Sequence, residues 1–405
     1  MTTTKNNEHK KLNVPNKQEQ NQTCLDSAER EGLSPKGNVP NLRFPEFQGE
    51  WSVTTLQKDC IVNPTNEKIA DKFVYVDLES VKQGQLYKYQ ILTKDNAPSR
   101  AQRVLHTDDI LFQCVRPYQM NNYMVKGTMS DIQWVASTGY AQIRTQTDYP
   151  AFLYYVLNTS KYNKAVMVRC TGSSYPAINS EDLSKIPFYK CGIAEQKKIA
   201  DFLFLLDERI ATQNKIIDKL QSLIKGIAQH CIRELINGWE YVRLGDICKI
   251  TTGKLDANAQ VENGQYPFFT CAERPFNIDS YAFDTEALLI SGNGANLGYI
   301  NYYKGKFNAY QRTYVLDQFS VNIQYVKWAL KVLLPQRIAI EKSSSNTPYI
   351  VLSTLADLKI PIPNNSKQNH IADLMMLFER KLSTQLALSD LYNKQKQYLL
   401  RQMFI

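Results

Sequence analysis

The chain has 405 residues, a formal net charge of +9 and 43% hydrophobic side chains. That length accommodates two or three domains with their own cores, and the composition excludes a wholly disordered protein. No apolar run is long enough to span a membrane, and the polar first twenty residues predict no secretory signal peptide. We therefore expect a cytoplasmic protein that does not interact with membranes.

The cysteines and histidines predict neither a disulfide framework nor a metal site. The eight cysteines form no Cys-x-x-Cys pair, and none of the four histidines has a ligand partner at metal-binding spacing. Free, structural thiols in a reducing compartment are expected.

In chain order, the pattern predicts an α+β protein with two mixed α/β domains, each followed by a long helix. Strands are predicted at 73–76, 109–112, 287–290 and 314–316, and helical segments at 151–157 and 321–334. The predicted parts are a polar, disordered extension (1–39), a first domain (40–190), a central long helix (191–238), a second domain (239–365) and a C-terminal long helix (366–405).

An internal repeat relates the two halves of the chain. The matched segments are Trp51–Leu56 with Trp239–Leu244, Ser184–Pro187 with Leu358–Pro361, Ile199–Asp201 with Ile371–Asp373, Thr212–Gln213 with Thr384–Gln385, and Tyr175 and Ile178 with Tyr349 and Leu352. We interpret the chain as a tandem duplication of one unit, a globular part followed by a helix.

Apolar residues in both long helices step by four and three in alternation, which is typical of a coiled-coil seam. The alternative is two ordinary amphipathic helices packed on their own domains, but helices of about 40 residues far exceed the globular mean. The second heptad pattern weakens after Gln385. The predicted seam consists of Ile199, Leu203, Leu206, Ile210, Gln213, Ile217, Leu220, Ile224 and Ile227 in the first helix, and Ile371, Met375, Phe378, Leu382 and Gln385 in the second.

Connectivity predicts that the two helices are antiparallel. The first helix leads the chain from one globular part to the other, so the second must run back to pair with it. Gln213 and Gln385 lie near the middles at matching repeat positions, and we expect them to meet across a pseudo-two-fold axis and to set the register. The alternative is that each points to the edge of the seam.

The sequence lacks the motifs of several enzyme classes. It contains no Asn/Asp-Pro-Pro-aromatic tetrapeptide of amino-methyltransferases, no phosphate-binding Gly-x-x-x-x-Gly-Lys-Ser/Thr loop and no Gly-x-Gly-x-x-Gly fingerprint. The Gly-rich residues 291–298 lack Lys and favour a polar loop. The pattern indicates a binding protein without a reaction of its own.

Loops rich in hydrogen-bonding side chains suggest contact with nucleic acid. Arg, Asn and Gln can contact base edges in pairs of hydrogen bonds, while Ser, Thr, Lys and Tyr can hold phosphates. Any single loop is also explained as a solvated turn. The candidates are Arg100, Arg103, Arg116, Tyr118, Gln119, Asn121, Asn122, Arg169, Ser173, Ser174 and Tyr175 in the first domain, and Thr252, Lys254, Ser291, Asn293, Asn296, Tyr310, Gln311, Arg312, Lys342, Ser344 and Asn346 in the second.

The residues Pro40–Trp51, the restart at Trp239 and the helix start Glu195–Asp201 with its second copy resemble the specificity (S) subunit of type I restriction–modification systems. The resemblance covers residues 40–405. It implies two target recognition domains that read the halves of a bipartite, asymmetric site in double-stranded DNA. It also implies helices that act as a spacer and as the docking surface for two methyltransferase subunits, with restriction subunits joining outside them.

The resemblance further implies that this chain is not catalytic and binds no cofactor. S-adenosylmethionine is then expected on partners that methylate adenine N6, and ATP and magnesium on the restriction partners. A rival interpretation is a non-catalytic coiled-coil scaffold that holds two protein-binding domains. A self-contained methyltransferase or nuclease is disfavoured by the missing motifs.

Overall fold

The computed structural model describes residues 37–65, 67–127, 132–233, 239–342 and 349–405. The predicted extension up to residue 36 and the candidates Ser344 and Asn346 lie outside these ranges, as does the side chain of Lys342. Within them the chain divides into two compact units. One ends at Asp207 and includes Lys394–Ile405, and the other comprises Glu208–Asn393. In the described ranges no helix is both long and apolar enough to cross a membrane.

The first unit contains a mixed α/β lobe, called here the first lobe, at residues 52–190. Its helices are α1 (Leu56–Asp59), α2 (Pro150–Leu157), α3 (Ser160–Val168) and α4 (Ser180–Ser184). Its strands are β1 (Ser52–Thr55), β2 (Cys60–Val62), β3 (Lys72–Val76), β4 (Val81–Lys82), β5 (Gln85–Leu86), β6 (Gln90–Thr93), β7 (Ala101–Leu105), β8 (Ile110–Gln113), β9 (Tyr123–Met124), β10 (Gln133–Ser137), β11 (Tyr140–Thr145) and β12 (Pro187–Lys190).

The long helix α5 (Ile193–Arg233) follows, and the second unit contains the second lobe at residues 240–362. The strands of this lobe are β13 (Glu240–Arg243), β14 (Lys249–Thr252), β15 (Tyr266–Phe269), β16 (Phe276–Ile278), β17 (Phe283–Ser291), β18 (Ile300–Ala309), β19 (Thr313–Asp317) and β20 (Lys359–Ile362). The remaining helices are α6 (Leu244–Ile247), α7 (Ile323–Lys342), α8 (Leu352–Ala356) and the long α9 (Asn365–Gln402).

The two lobes share one frame. In each, the first strand pairs antiparallel with the last, β1 with β12 and β13 with β20. In each, three neighbouring strands of one sheet follow the same order from the sheet edge inwards, β2-β11-β8 and β14-β19-β17. The segments of β8 and β17 that pair with β11 and β19, Ile110–Gln113 and Leu288–Ser291, are buried and mostly apolar, as a strand covered on both faces requires. The tandem duplication predicted from the sequence is therefore present in the strand pairing.

The lobes differ in what surrounds that frame. The first lobe adds a second sheet, with strand order β6-β3-β10-β7, that has its own apolar core around Phe73 and Val135. The second lobe instead extends its central sheet to six strands through β18, β15 and β16. The two copies thus share the strand order β2-β11-β8 and β14-β19-β17 and differ in the strands added to it.

Helix α7 continues beyond its predicted end. The pattern predicted an end at Leu334, but the helix runs to Lys342 with Pro335 inside it, although a proline removes a backbone donor. Ile338, one turn later, is buried in the core of the second unit. Its burial offsets the hydrogen bond that the proline removes.

A buried glutamine fixes the start of each long helix to its own lobe. Gln196 Oε1 accepts a hydrogen bond from the amide of Tyr149, directly before α2 (2.8 Å). Gln368, 172 positions later, accepts one from the amide of Asn322, directly before α7 (3.0 Å). Both side chains are only 2% exposed. The repeat therefore reproduces individual side-chain contacts as well as strands.

In the first unit, the segment before β1 lies against the beginning of α5. Arg43 donates through Nε and Nη2 to the two carboxylate oxygens of Glu195, at 2.7 and 2.8 Å. Trp51 packs edge-on against Phe152 and Phe404. Two of the segments that carried the family resemblance, 40–51 and 195–201, therefore meet in space.

The two long helices are antiparallel, as predicted. Within the second unit, the guanidinium of Arg209 on α5 stacks on the ring of Tyr392 near the end of α9, while Gln213, further along α5, meets Gln385, earlier in α9. Ile371 and Met375 at the start of α9 also pack into the core of the second lobe. The helices thus combine pairing with packing on a lobe.

All predicted seam positions are at least partly buried. The half-buried ones are Ile210, Ile227, Phe378, Leu382 and Gln385. The buried ones are Ile199, Leu203, Leu206, Gln213, Ile217, Leu220, Ile224, Ile371 and Met375.

The predicted meeting of the two repeat-equivalent glutamines is confirmed. Gln213 Nε2 donates to Gln385 Oε1 at 2.8 Å and to the Gln385 carbonyl at 3.1 Å. Gln213 is 6% exposed, so its amide has little access to water. A polar pair of this kind is satisfied in one register only, because a shift along the helices leaves both amides facing apolar side chains.

Replacing both Gln213 and Gln385 with Leu is expected to raise the free energy of unfolding by about 1–2 kcal/mol and to loosen the register, because apolar side chains pack in several registers. Thermal unfolding measures stability. Disulfide trapping in an Arg209→Cys/Tyr392→Cys background measures register. Gln213→Leu alone is the control and should lower stability by about 1–3 kcal/mol, since Gln385 loses its partner. A double variant that is less stable yet traps like the parent contradicts the proposed role.

Candidate DNA-recognition loops

A single residue at the end of β8 holds two loops of the first lobe together. Cys114 donates its amide to the carbonyl of Gly139 (3.0 Å), in the turn before β11. Its own carbonyl accepts from the amide of Ile178 (3.0 Å), just ahead of α4. Both bonds use the backbone, so they fix the path of the loops independently of the side chains that those loops carry.

The second lobe repeats this arrangement at the end of β17. Gly292 donates to the carbonyl of Arg312 (2.8 Å), directly before β19, and accepts from the amide of Ile350 (2.8 Å), just ahead of α8. We call each three-residue arrangement a loop clamp: Cys114, Gly139 and Ile178 in the first lobe, and Gly292, Arg312 and Ile350 in the second. The clamps show that Ile178 corresponds to Ile350, so the sequence match of Ile178 with Leu352 was wrong by two residues.

The first clamp brings together three loops of the first lobe that carry predicted candidates, at Arg100, at Arg116 and at Tyr175. Arg100 lies in the first loop, and its carbonyl accepts from Thr138, next to Gly139 (2.9 Å). Arg116 begins the second loop, and its amide donates to the carbonyl of Pro176 in the third (2.8 Å). The exposed candidates on these loops are Arg100, Tyr118, Gln119, Arg169, Ser173, Ser174 and Tyr175.

Other candidates in the first lobe support the loops from within. Asn122 is 2% exposed; its Oδ1 accepts from the Gln113 amide and its Nδ2 donates to Asn158. Asn121 Oδ1 accepts from the Gln83 amide (3.1 Å). Arg103 is half-buried and donates to the Tyr140 carbonyl (2.9 Å). These polar groups stabilise the loop conformation.

Burial also shifts the pKa of two groups beside the first clamp. Burial lowers the pKa of the Arg103 guanidinium below its ordinary value. Burial raises the pKa of the Cys114 thiol to about 11. The thiol is therefore protonated at neutral pH and packs as a small apolar side chain.

The second clamp gathers the corresponding loops of the second lobe. Leu255 accepts from the Gln311 amide (2.9 Å), and Gly253 donates to the Thr313 carbonyl (3.3 Å), which attaches the loop after β14. Asn296 Nδ2 donates to the Cys271 carbonyl (3.1 Å). The exposed candidates are Thr252, Lys254, Gln311 and Arg312; Asn293, Asn296 and Tyr310 are half-buried, and Ser291 is buried.

Sequence reasoning missed the residues that let these loops approach one another. A Cβ at Gly253 would lie 1.9 Å from the Ala309 carbonyl oxygen, and one at Gly292 would lie 2.4 Å from the Arg312 carbonyl oxygen. Only glycine permits such contact. A glycine inside a polar loop was the available signal. The 270–274 loop, which carries Arg274, was also missed and had no such signal.

Comparisons with known proteins place the chain in a family. A family model described as the type I restriction modification DNA specificity domain matches residues 60–222 and again residues 236–388. The two matches together cover well over half of the chain. The chain belongs to this family.

Two relatives and one solved structure illustrate the similarity. The type I restriction enzyme EcoDI specificity subunit of Escherichia coli is 44% identical over 135 residues, 33% of this chain and 30% of that protein. The MjaIX specificity subunit of Methanocaldococcus jannaschii is 24% identical over 58% of this chain and 63% of its own. The matched parts thus span less than two thirds of either relative. The crystal structure of the type I S subunit from M. genitalium covers 91% of this chain and 99% of its own, with a TM-score of 0.62 at 17% identity, which shows a common fold.

The two family matches agree with the two lobes. Each match contains one clamp, Cys114 in the first and Gly292 in the second. This chain is therefore a type I specificity subunit with two specificity domains. In the part of the chain that the structure describes, no group of His, Cys, Asp and Glu side chains is placed to hold a metal ion.

Gly253→Ala is expected to lower the stability of the second lobe by about 1–3 kcal/mol, because the added methyl group displaces the Ala309 carbonyl. Hydrogen exchange of the Gln311 and Gly253 amides, which tie the loop down, should become faster. Gly294→Ala is the matched control. A Cβ added at Gly294 would have nothing within 4 Å, so this variant introduces only the backbone strain of an alanine at φ 79°. Unchanged exchange in Gly253→Ala would contradict the role given to this close approach.

Proposed function

We propose that this specificity subunit reads a bipartite, asymmetric sequence in double-stranded DNA, one half with each lobe. The observation that supports this most directly is the repeated clamp. Both lobes hold their loops with the same backbone bonds, yet the loops carry different side chains, Arg116, Tyr118 and Tyr175 in one lobe and Lys254, Gln311 and Arg312 in the other. A common frame with different contact groups suits two unlike half-sites of one site.

The proposal leaves all chemistry to other subunits. Two methyltransferase subunits that bind S-adenosylmethionine would flip and methylate adenine at N6. Restriction subunits that use ATP and magnesium would translocate and cleave the DNA. This chain would select the sequence and, through its helices, set the number of uncontacted bases between the half-sites.

Exposed leucines on the long helices support docking of two identical partners. Leu205 on α5 is 65% exposed, and Leu377 on α9, its equivalent 172 positions later, is 60% exposed. Large apolar side chains that face water in equivalent places of both repeats are typical of protein contact sites. Because the repeat duplicates the site, it suits two copies of one methyltransferase subunit.

The DNA proposal is tested with the full chain copurified with its methyltransferase subunits. We expect methylated adenines to map to one sequence of two unlike halves separated by a fixed number of free bases. Binding to a duplex with that sequence should weaken steeply with salt, because phosphate contacts release counterions. Sequencing that detects methyladenine gives the methylated motif, and a salt titration gives the dependence of DNA affinity on salt. Partner binding without any DNA modification or salt-dependent DNA affinity would favour a protein scaffold instead.

The docking proposal makes a prediction about stoichiometry. Leu205→Asp or Leu377→Asp should each leave one methyltransferase subunit bound where the parent chain binds two, and the double variant should bind none. Burying an unpaired carboxylate costs several kcal/mol, enough to abolish a docking site. Native mass spectrometry measures the number bound.

Leu391→Asp is the matched control for docking. Leu391 is also 60% exposed on α9, but its repeat equivalent is Lys219. It should retain two methyltransferase subunits. If the Leu205 and Leu377 variants also retain two, these leucines are not the docking contacts.

A further inference from the structure

Arg116 and Tyr175 form a stacked pair on the joined loops of the first lobe. The guanidinium carbon of Arg116 lies 4.5 Å from the centre of the Tyr175 ring. Tyr175 is 64% exposed and Arg116 is half-buried. The ring therefore supports the guanidinium on one face and is itself open to solvent.

The backbone beneath this pair is fixed in an uncommon conformation. Arg116 has φ 55° and ψ 54°, the left-handed region, although it has a large side chain and precedes Pro117. Its amide donates to Pro176, and the neighbouring Val115 pairs with Ala177, which in turn pairs with Thr171. Non-glycine residues persist in this region only where the surroundings hold them there, which is common at binding sites.

The loop beneath Tyr175 is fixed in the same way. Gly172 has φ 89°, and a Cβ on it would lie 3.1 Å from the Tyr175 carbonyl oxygen. Thr171 and Ala177 exchange both backbone hydrogen bonds, at 2.9 and 3.0 Å. The ring thus stands on a closed loop, and the backbone that carries both members of the stack is held in place before any ligand binds.

The guanidinium has no acidic partner within the described part of the chain. Elsewhere in the first unit, Arg43 and Arg144 are paired with Glu195 and Asp109. Arg116 forms no such pair there, and its guanidinium lies over the ring of Tyr175. Its N–H groups can still donate side by side to a ligand with two adjacent acceptors.

We infer that Arg116, held by Tyr175, reads one guanine in the half-site that the first lobe contacts. Guanine presents O6 and N7 side by side in the major groove, and Arg is its commonest specific partner. A phosphate contact needs charge but little orientation, whereas a base contact benefits from a side chain that is already immobilised. The inference rests on the proposed function and adds a named residue and base to it.

The test compares methylation motifs of the same purified complex carrying single substitutions. Arg116→Ala and Arg116→Lys should each reduce the preference for guanine at one position by about 5- to 150-fold. All other letters of both half-sites should be retained. Lys keeps the charge but lacks the planar fork, so its failure separates base recognition from simple attraction. Tyr175→Ala should weaken the preference at the same position, and Tyr175→Phe should retain it.

Lys164→Ala is the control for loss of one positive charge, since Lys164 is exposed on α3 outside the loops; its motif should match the parent's. An unchanged second half-site in each variant shows that the complex is folded. A motif without guanine in the affected half, or equal loss of modification at every sequence with Arg116→Ala, overturns the inference and leaves bipartite recognition intact. If the parent complex modifies DNA without any bipartite sequence, the proposed function fails as well.

Discussion

Two backbone hydrogen bonds at the end of one buried strand determine the candidate recognition surface of each lobe. Cys114 and Gly292 each donate to the turn before the neighbouring strand and accept from the segment before a short helix. Because strands β8 and β17 are buried and paired, the position of these residues is fixed by the core. The loops are therefore held by buried strands of each lobe, and their side chains can vary without changing the frame. Such separation of scaffold and contact groups suits the proposed reading of two different half-sites.

The pairing of the two long helices also follows from the duplication. The repeat places equivalent residues on α5 and α9, and antiparallel pairing brings the middle pair, Gln213 and Gln385, into contact. Near the start of each helix, the buried Gln196 and Gln368 attach it to the residue directly before a lobe helix. Lys327 and Lys331 on α7 donate hydrogen bonds to Glu379 on α9. Burial raises the pKa of Glu379, but the two lysines lower it more, so that it lies below its ordinary value of 4.5. These contacts connect each lobe to the long helices on which Leu205 and Leu377 are exposed.

The sequence predicted the features that have a local period or an internal copy. The seam follows from apolar spacing, and the glutamine pair follows from spacing combined with chain connectivity. The joining of the loops was beyond sequence reasoning, because the clamps use amides and carbonyls that every residue has. For a related reason, the sequence could not separate polar candidates that face a ligand from those that form hydrogen bonds inside the lobe. Arg103 and Asn122 look like ligand-contacting residues in the sequence, yet they bond to Tyr140 and Gln113 inside the lobe. The stacked Arg116 is distinguished by its backbone conformation, which no sequence pattern indicated.

The central claim, that the two clamped loop sets contact opposite halves of one DNA site, is tested most directly by site-specific photocrosslinking. Tyr118 and Gln311 are both exposed, one on each loop set, and each can be replaced singly with a photoreactive amino acid in the full complex. The crosslinked base is then mapped on a duplex that carries the methylated sequence. The account predicts that position 118 crosslinks only within one half-site and position 311 only within the other. Crosslinks from both positions to the same half, or from either position only to DNA outside the site, would contradict it.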